Sequence, residues 1–277
     1  MILPGLRQVL DETPSPVLGL CPGIAIDLGS SRTRAWMPGR GVVADVPSVA
    51  LSPDGPCYPV RRGRVVDVEQ CSRMLGLLLG RHVSRRRRRP LVVLSGPVLT
   101  EPADHAAALA ALEVLEPRSV LTLDSVKAAA VGCPDEPPGG RSLLVVDVGA
   151  HLTEVAVLTD GTVVGARRAE VGTADLGRDR PAALIADAVA GMVTQLLRDA
   201  DAAGTVDALD RGPLLVGGGA LRPDIAYRLA MELRTSVRPA PAPHWAALRG
   251  AAVALQAARR HPSVNEGEPV VSAVRAQ

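Results

Sequence analysis

A chain of 277 residues, 47% hydrophobic and 22% charged, carries enough apolar material for one large or two small cores. Its net charge of +2 points to no particular partner and does not suggest nucleic-acid binding. The four cysteines show neither a C-x-x-C pair nor metal-ligand spacing with histidine, which speaks against a zinc site or a disulfide framework and predicts free thiols in a reducing cytosol. No stretch reaches the ~18 uninterrupted apolar residues of a membrane helix. Of 31 basic residues only Lys127 is a lysine, and phenylalanine is absent, which we read as codon bias. The core must then be built from Val, Leu, Ala and Ile, a set suited to buried parallel strands.

The N-terminal "MILPGLRQVLDETPSPVLGLCPG" lacks the charged start and long apolar core of a signal peptide. Its first eight residues read either as a disordered leader or as a short amphipathic tether touching a membrane surface. A first strand–turn–strand unit follows, "GIAIDLGSSRTRAWMPGRGVVA", and then the extended "DVPSVALSP", ended by the turn Ser52-Pro53-Asp54-Gly55. "GRVVDVEQCSRMLGLLLGRHV" predicts a short strand and a helix with Val68, Cys71, Met74, Leu75, Leu78 and Leu79 on one face. The run Arg85 to Arg89 reads as a solvated helix end or as a contact for nucleic acid or an anionic membrane; without aromatic neighbours we favour the former. "RPLVVLSGPVLTEPADHAAALAALEVL" predicts a buried strand and a helix capped by Thr100, with Glu101 and Asp104 in its first turn.

"SVLTLDSVKAAAVG" reads as a strand feeding an Ala-rich helix, and "CPDEPPGGRS" as an interdomain loop. "PAALIADAVAGMVTQLLRDADAAG" predicts one long amphipathic helix with Leu184, Ile185, Ala188, Val189, Met192, Val193, Leu196 and Leu197 inward. "GPLLVGGGALRPDIAYRLAMEL" is strand, glycine turn and helix, "HWAALRGAAVALQAARR" a last helix, and the residues from about His261 a polar tail.

One feature is repeated. Asp27, Gly29, Thr33 and Gly41 of the first hairpin recur as Asp147, Gly149, Thr153 and Gly161, each 120 residues on. A strand ending in Asp-x-Gly presents backbone N–H groups and small hydroxyls where a phosphate can approach, and its Asp can hold a hydrated Mg²⁺. Two such hairpins facing each other across similar domains suit a polyphosphate. "VGGGAL", Val216 to Leu221, adds a glycine turn before a helix, where bare backbone suits an adenosine and its α-phosphate.

With these elements in order the chain resembles the actin-like ATPase superfamily, and within it MreB and its Mbl paralogues, from about Ile24 to Leu255. "IAIDLGSSRT" matches the first phosphate motif, "VPSVAL" the Pro-Ser-Val stretch, "LVVDVGAHLTEVAV" the second phosphate motif, "DRGPLLVGGGAL" the adenosine motif and "ALRGAAVAL" the returning C-terminal helix. The resemblance implies a two-domain actin-like (ribonuclease H-like) α/β fold. It assigns Asp27, Gly29, Ser30, Ser31 and Arg32 to the first phosphate loop, and Asp147, Gly149, Ala150 and His151 to the second. Gly217, Gly218, Gly219, Ala220 and Leu221 fall in the adenosine loop. ATP with Mg²⁺ is the implied cofactor, Asp27 and Asp147 holding the metal through water. Asp124 stands where the family places the Glu or Gln that positions the attacking water.

The departures matter as much. Where the family reads Gly-Gly-Gly-Thr in the second loop, this chain has Gly149, Ala150, His151 and Leu152. The β-carbons would be strained at any position of positive φ, by about 1–2 kcal/mol each. The resemblance also implies a small subdomain where only "SPDGPCYPVRRGR" stands, and another where "GRDRP" leads into the long helix. The expectation is a fold reduced to the two large subdomains: 1–20 an extension, 21–139 the first domain, 141–244 the second, 245–260 a helix returning to the first, and 261–277 a flexible tail. The implied function is a cytoplasmic MreB-like protein of cell-shape or cell-wall synthesis, at most a weak ATPase. It would lie in the cytoplasm, or peripherally at the inner membrane face, and assemble with itself, with full-length MreB-type protomers or with cell-wall synthesis proteins. The alternative is a pseudo-ATPase adaptor. A small-molecule kinase lacks the inserts for an acceptor pocket, and an Hsp70-type chaperone lacks its substrate domain.

Overall fold

The computed structural model describes residues 22–53, 55–83, 89–133, 142–177, 181–199 and 202–261. The N-terminal extension, the arginines Arg85 to Arg88, most of the "CPDEPPGGRS" stretch and the tail beyond His261 lie outside the described residues.

The described residues begin with β1 (Gly23–Leu28), β2 (Arg32–Met37) and β3 (Gly41–Pro47), followed by the short ribbons β4 (Ala50–Ser52) with β5 (Gly55–Cys57) and β6 (Val60–Arg61) with β7 (Arg64–Val65). Helix α1 (Val68–Leu79), β8 (Leu91–Gly96), α2 (Pro102–Leu112), β9 (Ser119–Asp124) and α3 (Ser125–Val131) come next. Then follow β10 (Leu143–Val148), β11 (Thr153–Thr159), β12 (Thr162–Ala169), α4 (Ala183–Leu196), α5 (Ala202–Asp210), β13 (Leu214–Val216), α6 (Pro223–Leu233), β14 (Arg238–Pro239) and α7 (Ala246–Arg260).

The two main sheets have the same design. One has strand order β3-β2-β1-β8-β9 and the other β12-β11-β10-β13-β14. In each, an antiparallel hairpin supplies the central strand, which pairs in parallel with the next (β1 with β8, β10 with β13). The registers repeat too: Asp27 faces Arg34 and Leu28 faces Thr33, as Asp147 faces Glu154 and Val148 faces Thr153. The central strands "GIAIDL" and "LLVVDV" are apolar on both faces because each sheet is covered on both sides, as buried parallel pairings require.

The chain divides into two compact units: Met1–Gly96 with Thr100–Leu123 and Ala251–Gln277, and Pro97–Leu99 with Asp124–Gly250. The division falls at Leu123/Asp124, and the return to the first unit after Gly250, where the sequence reading drew its lines at 139/141 and 245. The reason is packing: Val126 and Ala129 of α3 join Val145, Ala156, Val216 and Ala246 in the core on one face of the second sheet. Its other face carries Leu144, Val146 and Val148 against Ile185, Val189, Val193, Ile225 and Leu229 of α4 and α6. In the first unit Ile24, Ile26, Val92 and Leu94 pack against Cys71, Met74, Leu75 and Leu79 of α1 and Leu112 of α2.

Local chemistry sets the helix ends. Asp67 caps α1 by accepting a hydrogen bond from the Gln70 N–H at 2.9 Å. The cap of α2 is Glu101 and not Thr100, because Pro102 opens the helix at a position that needs no N–H and holds the preceding residue extended (φ −68°, ψ 151°). The long helix expected over 181–204 is two: α4 stops at Leu196, and Asp199 beyond it binds the Arg167 guanidinium at 2.8 Å. Ala186 is buried in α4, while Leu184, expected inward, is 36% exposed.

Helices α3 and α7 cross with their backbones in contact. A β-carbon on Gly250 would overlap the Ala128 carbonyl, and one on Gly132 the Ala246 carbonyl. Arg249, only 6% exposed, seals the crossing: its Nε donates to the Gly132 carbonyl at 2.9 Å and its Nη2 to the Pro241 carbonyl at 2.7 Å. Replacing Gly250 by Ala is therefore expected to destabilise the protein by about 3 kcal/mol, measured as a lowered denaturation midpoint. In contrast Gly191→Ala in α4, where a β-carbon meets nothing, is expected to gain up to about 1 kcal/mol.

Candidate functional site

In the first unit the turn between β1 and β2 is braced from within. The Gly29 N–H donates to the Arg32 carbonyl at 3.1 Å, and the Ser48 N–H to the Ser31 carbonyl at 3.0 Å. Ser48 Oγ donates to the Gly29 carbonyl at 2.6 Å, so Thr33 Oγ1 is the donor in its 2.8 Å bond with Ser48. The Pro-Ser-Val stretch is thus the buckle of the loop. Ser30 Oγ accepts the Gly63 N–H at 3.0 Å, while Ser31 is exposed.

Charge in this unit follows the strand register. Asp27, Arg34 and Asp45 lie opposite one another on β1, β2 and β3. Arg34 reaches Asp27 at 3.3 Å and Asp45 at 3.3 Å, and Arg32 donates to Asp45 Oδ1 and to its backbone carbonyl, each at 2.7 Å. Burial raises the Asp27 carboxyl above its usual range, and Arg34 offsets part of that rise.

The second hairpin repeats the brace with backbone groups. The Gly149 N–H donates to the Leu152 carbonyl at 2.9 Å, and the Thr173 and Ala174 N–H groups donate to the Gly149 and Ala150 carbonyls at 3.0 and 2.8 Å. Thr153 Oγ1 donates to the Val171 carbonyl at 2.8 Å. None of Ala150, His151 and Leu152 has a positive φ, so the strain expected for β-carbons in this loop does not arise. Leu152 is turned inward, 8% exposed, and His151 is half-buried with Nδ1 shielded and without a hydrogen-bond partner among the described residues.

The third loop lies against the second because β10 and β13 are neighbours in register, Asp147 opposite Val216. Gly217 has φ 82°, and a β-carbon there would strike the Asp147 carboxylate and the Val148 carbonyl; only glycine fits. Its N–H donates to the Pro243 carbonyl at 3.1 Å. Beyond it Gly218 is exposed with open space around its Cα, Gly219 and Ala220 are buried, and Leu221 is 56% exposed.

A buried acid that the sequence reading passed over completes this unit. Glu154, 4% exposed, accepts the Val98 N–H at 2.6 Å on Oε1 and the Ser125 hydroxyl at 2.9 Å on Oε2. Burial, reinforced by the charges of Asp147 and Asp124, pushes its pKa up to about 8 against the two hydrogen bonds. Asp124 ends β9 and begins α3 without a side-chain cap bond; burial raises its carboxyl too, offset in part by Lys127. Asp124, Asp147, Gly149, Ala150, His151 and Gly217 to Leu221 therefore belong to the second unit, and Asp27, Gly29, Ser30, Ser31 and Arg32 to the first. Arg34 and Glu154, the residues missed, occupy equivalent places 120 residues apart, a correspondence present in the repeat itself.

In the Gly217–Leu221 turn Gly218 is exposed with open space around its Cα, which leaves room for a nucleotide. Magnesium is different: at Asp27 a guanidinium already sits against the carboxylate, and this residue set does not fit a metal. Among the described residues no group of three or more His, Cys, Asp or Glu side chains is arranged to hold one.

Two sheets of the same order, each with an Asp-x-Gly turn at its central strand, define the actin-like ATPase fold. Residues 56–179 match the family model described as MreB/Mbl protein, a stretch that includes Asp124 and the second loop. The ADP-bound crystal structure of MreB5 of Spiroplasma citri is similar with a TM-score of 0.76 at 15% identity, over 89% of this chain and 99% of that one. MreB5 bound to AMPPNP gives 0.73 at 16% identity, over 86% and 97%. The ethanolamine utilization protein EutJ from Carboxydothermus hydrogenoformans gives 0.60 at 17% identity, over 89% and 93%.

Glu154 makes a pH prediction. Its folded pKa, about 8, lies above the ordinary 4.5, so the native state binds the proton more tightly than the unfolded chain. Its contribution is fully present below pH ~4.5 and is lost as pH rises toward ~8, at up to about 1.4 kcal/mol per pH unit. Glu154→Gln is expected to remove that slope and to be more stable than the wild type at pH 8–9, read from denaturation midpoints across the pH range.

Proposed function

We propose that the chain is an MreB-like bacterial actin homologue that binds an adenine nucleotide weakly and serves in cell-shape, cell-wall or septal synthesis. The observation that carries this reading is the glycine turn at Gly217 packed on the Asp147 strand end, in a sheet whose design is repeated around Asp27. Similar folds have been crystallised with ADP and with AMPPNP, which supports an adenine nucleotide as the ligand.

Hydrolysis is expected to be slow. Asp124 is one methylene shorter than the residue expected there, which sets its carboxylate farther from an attacking water. The second loop offers a hydrophobic Leu152 where a hydroxyl is expected. We read the chain as the two large subdomains alone. Among the described residues only the ribbons β4–β5 and β6–β7 lie between β3 and α1, and a single 3-10 turn, Thr173–Asp175, between β12 and α4. Its site of action would be the cytoplasm or the inner face of the membrane, in company with copies of itself, longer MreB-type protomers or cell-wall synthesis proteins; no described helix is long and apolar enough to cross a membrane.

The adaptor reading is favoured by one feature: Ser30 and Arg32, which would meet phosphate, already bond to Gly63 and Asp45. Thermal unfolding with and without millimolar ADP separates the two. A ligand at 100 times its Kd stabilises by ~2.7 kcal/mol, a rise of roughly 5–10 °C for a chain of this length. Gly218→Glu, placed in open space, is expected to keep the unliganded Tm and lose the shift. No shift in the wild type would leave the adaptor reading standing.

A further inference from the structure

We propose that the phosphate-binding turn of the first unit works without a divalent cation, Arg34 holding the side of Asp27 that a hydrated metal ion would need. The inference rests on the nucleotide-binding reading above and concerns how that site handles charge.

The argument is one of register and charge count. On β8, β1, β2 and β3 the residues in line are Ser95, Asp27, Arg34 and Asp45. Asp27 therefore has a neutral hydroxyl on one side and a guanidinium on the other, with Asp45 beyond that guanidinium. Ser95 is 2% exposed and its Oγ has no hydrogen-bond partner among the described residues. Arg34 lies between Asp27 and Asp45 at 3.3 Å from each, and Arg32 adds a second guanidinium to Asp45 at 2.7 Å. Two carboxylates and two guanidiniums leave the group formally neutral.

Arg34 could give way to a metal only by breaking its contacts with Asp27 and Asp45. The Arg34 side chain is 13% exposed and that of Asp27 18%, a setting in which solvent screens their contact only in part. Magnesium gives up its water reluctantly and prefers carboxylates not engaged elsewhere. Bringing a doubly charged ion to Asp27 would set it against Arg34 at close range, and Asp45 is already shared between two arginines. In the second unit the place of Arg34 is taken by Glu154, whose two oxygens accept from Val98 and Ser125.

The test uses the intact protein and two readouts. Thermal unfolding with millimolar ADP is compared in EDTA and in excess Mg²⁺, and Mn²⁺ is titrated into the free protein with binding followed by electron paramagnetic resonance. The expected result is an equal ADP-induced rise in Tm in both buffers, and no saturable Mn²⁺ binding that Asp27→Asn removes. A shift that requires Mg²⁺, or a saturable Mn²⁺ site lost in Asp27→Asn, overturns the proposal. If ADP gives no shift in either buffer the nucleotide reading falls, and the Mn²⁺ titration alone decides this inference. Arg34→Gln is expected to create saturable Mn²⁺ binding by freeing Asp27 of its neighbouring charge. Unchanged Mn²⁺ binding in folded Arg34→Gln counts against the proposal, and should that variant not fold, the wild-type comparison still decides it.

Discussion

The position across the strand from each strand-end aspartate governs the character of both units. In an antiparallel hairpin the residue opposite is set by the turn, and a carboxylate there feels whatever charge it carries at close range. Opposite Asp27 stands Arg34; opposite Asp147 stands Glu154. From one repeated backbone design the chain thus makes a unit whose aspartate is neutralised by a cation and a unit whose aspartate is joined by another acid. Everything placed around them follows. Asp45 and Arg32 complete a balanced ladder in the first unit, while Val98 and Ser125 satisfy a carboxyl that burial keeps protonated in the second.

The braces behind the turns have the same logic. Ser48 reaches the Gly29 carbonyl through its side chain, whereas Thr173 and Ala174 reach the equivalent carbonyls through backbone N–H groups. This explains how the second loop tolerates Ala150, His151 and Leu152. Its geometry is held from the 171–174 segment and does not need left-handed glycines, so the substitutions alter what the loop presents without distorting it. Leu152 itself faces inward.

Much of this was legible in the residues. The 120-residue repeat, the apolar central strands and the glycine run at Gly217 are local patterns, and the sheets follow from them. The errors have local causes as well. Pro102 moved the cap from Thr100 to Glu101 by restricting the residue before it. Helix α4 ends at Leu196, and Asp199 beyond it turns to Arg167. Arg34 and Glu154 went unmarked because strand pattern alone identifies a residue's face and not its opposite number. The opposite number depends on turn length and on the bulge between Ala35 and Trp36 in the β2–β3 pairing.

Sequence alone determined the class of fold, the duplication and the three loops, because periodicity, turn residues and spacing are carried along the chain. Only the tertiary structure decided which charges meet. Arg34 and Asp45 lie eleven positions apart along the chain but side by side across two strands, and Val98 joins Glu154 from 56 residues away. Coulombic and desolvation effects act through space and depend on burial, and neither burial nor proximity is a property of the linear chain.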